Sequence, residues 1–204
     1  MTILFRADAS TPMGTGHVMR SLALAQAWQD AGGRAIVEHV VAWARRYPGS
    51  MAFLENYDMT LGRLLTRGVD VWLNNPRRPS EASGTSGMKA AMNGVLNLST
   101  LDGWWPEACR HGVNGWQFGD GREGPTDERQ DARDLNGLFR VLRQEVLPTY
   151  IQDRARWIGM MQASIRSTRT AFSMDRMLDD YYRMLYAPGD VASHRRPARS
   201  VRAG

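Results

Sequence analysis

The stretch Glu81-Ala-Ser-Gly-Thr-Ser-Gly-Met-Lys89-Ala-Ala-Met-Asn-Gly94 decides how the rest of the chain is read: a Gly/Ser/Thr turn running into an apolar helix. Lys89 is the only lysine; the rest of the 26 Lys and Arg residues are arginines. A guanidinium pairs with phosphate but cannot lose its proton and attack a carbonyl, whereas a lysine amine can be desolvated, deprotonated and joined to an aldehyde as a Schiff base. Gly84 and Gly87 let backbone N–H groups crowd an anion, Thr85 and Ser86 add hydroxyl donors, and the helix start points its positive dipole end at the same spot. A phosphate-bearing aldehyde such as pyridoxal phosphate suits this chemistry. The plain alternative is a glycine turn capping a helix, with Lys89 solvated.

Outward from this stretch, short apolar runs alternate with helical patterns. Residues 51–54 read as a strand, 59–67 as a helix with Leu61, Leu64 and Leu65 inward, and 69–73 as an apolar strand. A loop over 74–84, a helix over 86–93 and a strand over 95–98 follow. Such alternation implies an α/β fold with a parallel sheet covered on both faces. Ligands then bind beyond the carboxyl ends of the strands, where the loops 74–84 and 99–105 would converge. Residues 119–134 read as an exposed polar loop. Amphipathic helices follow over 135–147, where Pro148 is the stop, over 151–169 and over 173–186. At the other end, a strand at 2–7, a turn at 8–16, a helix over 17–31 and a strand over 34–38 read as a Rossmann-like opening unit. The implied organisation is an opening unit 1–37, a junction 38–50, a domain 51–186 and a disordered basic tail 187–204.

An apolar fraction of 43% is enough for a core, and no run approaches the roughly 20 residues of a membrane span. The net charge of +5 is partly a property of the tail, with Arg195, Arg196, Arg199 and Arg202, so nucleic acid is not the expected partner. Cys109 is alone, which rules out an internal disulfide and fits a reducing cytoplasm. His39, His111 and His194 are scattered and no metal is expected. Trp104, Trp105 and Trp116 flank glycine turns, where they either stack on sugar rings or, the commoner role, fill the core.

Phe53-Leu-Glu-Asn-Tyr-Asp-Met59, Gly68-Val-Asp-Val-Trp-Leu-Asn-Asn-Pro-Arg-Arg-Pro79, the stretch from Glu81 to Gly94, and Leu98-Ser-Thr-Leu-Asp-Gly-Trp-Trp105 together resemble the C-terminal domain of the α-glucan (glycogen) phosphorylase family, short bacterial branch. The resemblance continues more weakly to about Tyr186. It implies a Rossmann-like sheet of the GT-B C-terminal-domain type followed by helices. It further implies pyridoxal phosphate on Lys89, phosphate contacts from Gly84 and Thr85, and a sugar hydroxyl on Glu81. Ser83, Asn56 and Tyr57 would shape the sugar pocket and Arg63 would face phosphate. The activity implied is phosphorolysis of an α-1,4-glucan by inorganic phosphate to glucose 1-phosphate, with self-association left open.

Arg6-Ala-Asp-Ala-Ser10 and Gly14-Thr-Gly-His-Val-Met-Arg-Ser-Leu-Ala-Leu-Ala25 resemble a second group, the nucleotide-sugar hydrolases of nonulosonic acid biosynthesis. There the histidine matching His17 is catalytic, and Gly14 and Gly16 line the cleft. Three readings therefore stand together: a phosphorylase, a non-catalytic remnant or binding domain of the same fold, and a nucleotide-sugar enzyme using His17.

Overall fold

The computed structural model of the chain describes residues 3–5, 33–54, 58–80 and 83–186. The expected helix over 17–31 with Gly14, Gly16 and His17, the residues Asn56, Tyr57 and Glu81, and the tail 187–204 lie outside the described residues. The chain divides into two units, Met1–Leu64 and Leu65–Gly204.

In the first unit, β1 (Ile3–Phe5) pairs in parallel with β2 (Met51–Phe53), Ile3 opposite Met51 and Phe5 opposite Phe53. Between them runs α1, Gly33–Arg46. The strand expected over 34–38 is therefore helix. Ile36 and Val37 favour a strand locally, but Val40, Val41 and Ala44 continue at helical spacing and are the half-buried positions. Arg45 and Arg46 in the last turn face the negative end of the helix dipole. The backbone turns at Tyr47, whose carbonyl accepts from the N–H groups of Ser50 (3.0 Å) and Met51 (2.9 Å).

The helix α2 (Met59–Gly68) starts at Asp58, whose Oδ1 accepts the Leu61 N–H at 2.7 Å, a side-chain N-cap. Leu61 and Leu65 are half-buried and Thr66 is buried. Leu64, expected inward, is 59% exposed. It lies a helical step to the side of the 61/65 row, so the narrow inward stripe excludes it.

The second unit is built on a three-stranded parallel sheet in the order β3 (Val71–Asn74), β4 (Leu96–Thr100), β5 (Gly115–Phe118). Leu98 stands opposite Leu73 on one side and Trp116 on the other. All five residues of β4 are buried, as a central parallel strand requires. Side chains alternate across it. Leu96 and Leu98 join Trp116, Phe118, Val141, Val146, Trp157 and Met160 in the main core, while Asn97 points to the other face. There α3 (Thr85–Met92) packs through Gly87, Ala90 and Ala91.

After β4, Trp104, Trp105 and α4 (Trp105–Ala108) form a second cluster with Ala91. Trp104, Trp105 and Trp116 are 4%, 1% and 0% exposed, so all three are core and none offers a face to a sugar. Trp105 Nε1 donates to the Trp116 carbonyl at 3.2 Å, satisfying a buried indole.

The polar segment read as a loop becomes helix well before residue 135. Thr126 accepts the Arg129 N–H on its side chain, and Asp127 and Glu128 occupy the first turn of α5 (Asp127–Val141). The acidic run that looked solvated is thus a helix start, stabilised by the dipole. Pro148 does not stop the helical run either. A π-helical turn, Leu142–Val146, leads into α6 (Leu147–Gln152), where Pro148 sits in the first turn and no N–H is needed. His111 bridges this turn to the sheet, its Nδ1 accepting the Gln117 N–H (3.1 Å) and its Nε2 donating to Glu145 (2.8 Å). Next come α7 (Arg154–Arg169), N-capped by Asp153, and α8 (Met174–Tyr181), N-capped by Ser173, which ends in a π-helical turn, Tyr182–Tyr186. No described helix is long and apolar enough to cross a membrane.

Candidate functional site

The loops after β3 and β4 meet as expected for carboxyl-end loops of a parallel sheet. Thr100 Oγ1 donates to the Pro76 carbonyl (3.1 Å), Trp104 N–H donates to the Ser83 carbonyl (3.0 Å), and the Arg78 guanidinium donates to the Leu101 carbonyl. These bonds deliver the chain to Gly84, which adopts left-handed backbone angles (φ 79°, ψ 38°) and starts α3 without a side-chain cap. Only glycine takes that conformation at no steric cost.

The Gly84 carbonyl accepts from Gly87 N–H (3.0 Å) and Met88 N–H (3.4 Å). No acceptor for the Thr85 or Ser86 N–H is found among the described residues, which is the usual state of the first turn. The free donors and the dipole make this end attractive to an anion.

Gly87 fixes where that end lies. A Cβ there would stand 2.7 Å from Asn97 Oδ1 and 3.0 Å from both Asn74 Nδ2 and Trp104 Nε1. Asn97 Nδ2 donates to the Gly87 carbonyl at 3.1 Å, bolting the helix to the central strand. Asn97 is fully buried, and its Oδ1 has no donor among the described residues.

On the opposite face of α3, Thr85 and Lys89 are exposed. Four residues apart, they share one helix face, with Ser86 beside them half-buried. Lys89 makes no ion pair among the described residues, and its carbonyl accepts from Asn93 Nδ2 (2.8 Å). An uncapped helix start, two hydroxyls and one free amine within a single turn fit a ligand carrying both phosphate and aldehyde. The donor set thus agrees with pyridoxal phosphate.

Of the other expected site residues, Ser83 is exposed and tied through its carbonyl, and Arg63 is exposed on α2 in the first unit. Glu81, Asn56, Tyr57, Gly14, Gly16 and His17 lie outside the described residues. No group of three or more His, Cys, Asp or Glu side chains in metal-binding proximity occurs among the described residues.

Several residues escaped the sequence reading. Arg77 makes a forked pair with Asp131 (3.0 and 2.6 Å) and reaches Asp127 (2.6 Å). The hydrogen bond from Arg77 holds the Asp131 carboxyl below the ordinary aspartate range. Buried Gln130 donates to the Arg78 carbonyl (3.1 Å) and accepts the Gly124 N–H (2.9 Å). The tandem Arg77-Arg78 was the available signal for this cluster, and a lone Asn within Val95-Leu-Asn-Leu98 was the signal for Asn97.

A cleft of about 350 Å³ lies beside the Arg77 cluster, between Asn75, Thr100, Phe118 and the Asp131, Asp134 and Leu138 side of α5. Burial pushes the Asp134 carboxyl up. A second cleft of about 360 Å³, between Glu107, Arg110, Ser167, Phe172 and Arg176, is not lined by Lys89.

Residues 47–111 match the family model described as carbohydrate phosphorylase. Maltodextrin phosphorylase of Thermococcus litoralis is 48% identical over 161 residues, covering 78% of this chain and 19% of that protein. Glycogen phosphorylase of Aquifex aeolicus is 44% identical over 165 residues, covering 78% of this chain and 23% of its own length. The chain therefore spans about a fifth of the length of these curated relatives. A solved glycosyltransferase from Rickettsia africae superimposes with a TM-score of 0.51 at 16% identity, over 76% of this chain and 36% of that one. That likeness shows the α/β glycosyltransferase fold, a parallel sheet with flanking helices and further helices at the C-terminus. The matched segment runs through the Gly84 turn and Lys89, and over it the chain is similar to a segment of the carbohydrate phosphorylase family.

Proposed function

We propose that this chain supplies the cofactor-bearing half of an α-glucan phosphorylase site, with pyridoxal phosphate seated at the start of α3 and anchored on Lys89. The observation that carries the reading is the pairing of an uncapped helix start at Gly84 with Lys89 and Thr85 on one exposed face. The Thr85 and Ser86 N–H groups and hydroxyls, with roughly half a positive charge from the helix end, hold the cofactor phosphate. The Lys89 amine fixes the other end of the ring.

When bound, the cofactor supplies a phosphate group that exchanges a proton with the substrate phosphate. In the reaction, an oxygen of inorganic phosphate bonds to C1 of the terminal glucose as the α-1,4 bond to the glycosidic oxygen breaks. That oxygen takes a proton and glucose 1-phosphate is released. Glu81 and Ser83 hold sugar hydroxyls.

The test is reductive trapping. Full-length protein is incubated with pyridoxal phosphate, reduced with borohydride and mapped by peptide mass spectrometry. The pyridoxyl group should sit on Lys89 and vanish in Lys89→Arg, the N-terminal amine aside. Equal capture by that variant would refute the assignment.

A further inference from the structure

The Gly84 turn is held from two directions: by the packing of Gly87 on the central strand, and through the loop that leads to it. The loop that leads to it is gripped from outside by α5, at two consecutive residues. Gln130, 3% exposed, uses both ends of its amide: Oε1 accepts the Gly124 N–H at 2.9 Å and Nε2 donates to the Arg78 carbonyl at 3.1 Å. On the same helix, Asp127, about one turn earlier, and Asp131, the next residue, take the Arg77 guanidinium through three contacts of 2.6 to 3.0 Å.

From there the chain is tied stepwise to the site. Ser80 N–H closes a turn on the Arg77 carbonyl (2.8 Å), Arg78 reaches across to the Leu101 carbonyl, and Trp104 N–H holds the Ser83 carbonyl (3.0 Å). In sequence, Glu81 falls between these anchors.

We propose that Gln130 and the Arg77–Asp127–Asp131 cluster are positioning residues for the Lys89 site. They hold the loop that leads into the Gly84 turn, and so keep the first turn of α3, with its free N–H groups, wound against the turn that carries the Lys89 amine. A ligand that must engage both at once then depends on a helix that touches neither. The inference rests on the cofactor reading for its ligand, but the clamp itself is a property of the loop and is measurable without one.

A forked arginine–carboxylate pair is geometrically exacting, and a buried amide with both ends engaged leaves an orphan carbonyl when removed. Gln130→Leu keeps the side-chain bulk and deletes both hydrogen bonds. Full-length protein is titrated with pyridoxal phosphate, trapped with borohydride and quantified on the Lys89 peptide, and amide hydrogen exchange is followed over residues 75–88. The expected result is an approximately tenfold rise in the half-saturating concentration, equivalent to about 1.4 kcal/mol, with undiminished label at saturation. Exchange across 75–88 should accelerate.

Val146→Ala, a cavity in the main core, is the control: it should lower the melting temperature yet leave half-saturation within about twofold. If Gln130→Leu fails to fold, Arg77→Met, at a more exposed position, carries the same two measurements. Unchanged half-saturation together with unchanged exchange would overturn the proposal. Should the wild type take no label, the cofactor reading falls, and the exchange arm alone decides whether the clamp exists.

Discussion

Gly87→Ala tests the packing that places α3. The substitution adds one methyl group at a buried helical position. Its Cβ would meet Asn97 Oδ1 at 2.7 Å and both Asn74 Nδ2 and Trp104 Nε1 at 3.0 Å. Something must move, and the candidates are a fully buried Asn and a Trp at 4% exposure. Overpacking of this kind costs about 1–3 kcal/mol. Displacing Asn97 also strains its bond to the Gly87 carbonyl, and a buried amide left without an acceptor costs about 1–3 kcal/mol. Against this, Ala exceeds Gly in helix propensity by about 1 kcal/mol. The balance is a loss of about 2–3 kcal/mol, or a drop in melting temperature of about 5–10 °C for a chain of this size. Gly159→Ala, within α7, is the matched comparison: a Cβ there meets nothing within 4 Å. Only the propensity gain remains, so this variant should melt about 2–4 °C higher than wild type. Both are read by thermal unfolding followed by far-ultraviolet circular dichroism. A neutral or stabilised Gly87→Ala, or a destabilised Gly159→Ala, would refute the reasoning.

Asp131 and Asp134, on the same helix, should respond to acid in opposite senses. The Asp131 carboxyl is held low by Arg77, so its contribution is present above the ordinary aspartate value of about 4 and lost as pH falls through its lower folded value; Asp131→Asn should therefore cost stability at pH 7 and nothing in strong acid. Burial raises the Asp134 carboxyl, so its ionisation opposes folding once pH rises past about 4 and through its folded value; Asp134→Asn should melt at or slightly above the wild-type temperature at pH 7, an advantage that disappears in acid. Cys109, half-buried with its thiol pushed up to about 12 by burial, should react with a disulfide reagent at pH 8 only as fast as the chain opens. Immediate full labelling of native protein would contradict that placement.

The parts of the fold legible in the sequence are those where one local signal suffices. β3 and β4 are apolar runs bounded by Asp70, the Asn74-Asn-Pro76 turn and Gly94, and the start of α3 is announced by its Gly/Ser/Thr turn. The misreadings share a cause, a local signal outvoted by a longer one. Ile36-Val37 looked like a strand until the spacing out to Ala44 was honoured. Asp127 and Glu128 looked solvated until Thr126 was taken as a cap, and Pro148 looked like a stop although proline suits a first turn. β5 offered only four residues beginning with glycine. At the candidate site, Gly84 opening the helix that carries Lys89 was legible because the two are neighbours in sequence. The Arg77 and Gln130 contacts were not, because they join residues 50 to 54 apart and no local pattern carries such a pair.

The chemistry proposed for the site and the packing of its helix fall on opposite faces of one eight-residue helix. Gly87, Ala90 and Ala91 face the sheet, and their small size lets α3 approach Asn97 and Trp104 closely enough for the helix start to be fixed to the central strand. Thr85 and Lys89 face away, where burial asks nothing of them. The α-helical period puts the two sets about half a turn apart, so a change at Lys89 removes a reactive amine without opening a cavity or orphaning a buried polar atom. A change at Gly87 keeps the amine but shifts the turn that aims it. Lys89→Arg should accordingly lose pyridoxal phosphate at an unchanged melting temperature, and Gly87→Ala should lose stability and capture together. Only if the helix start is held by packing, and not by the ligand, will those two effects separate in this way.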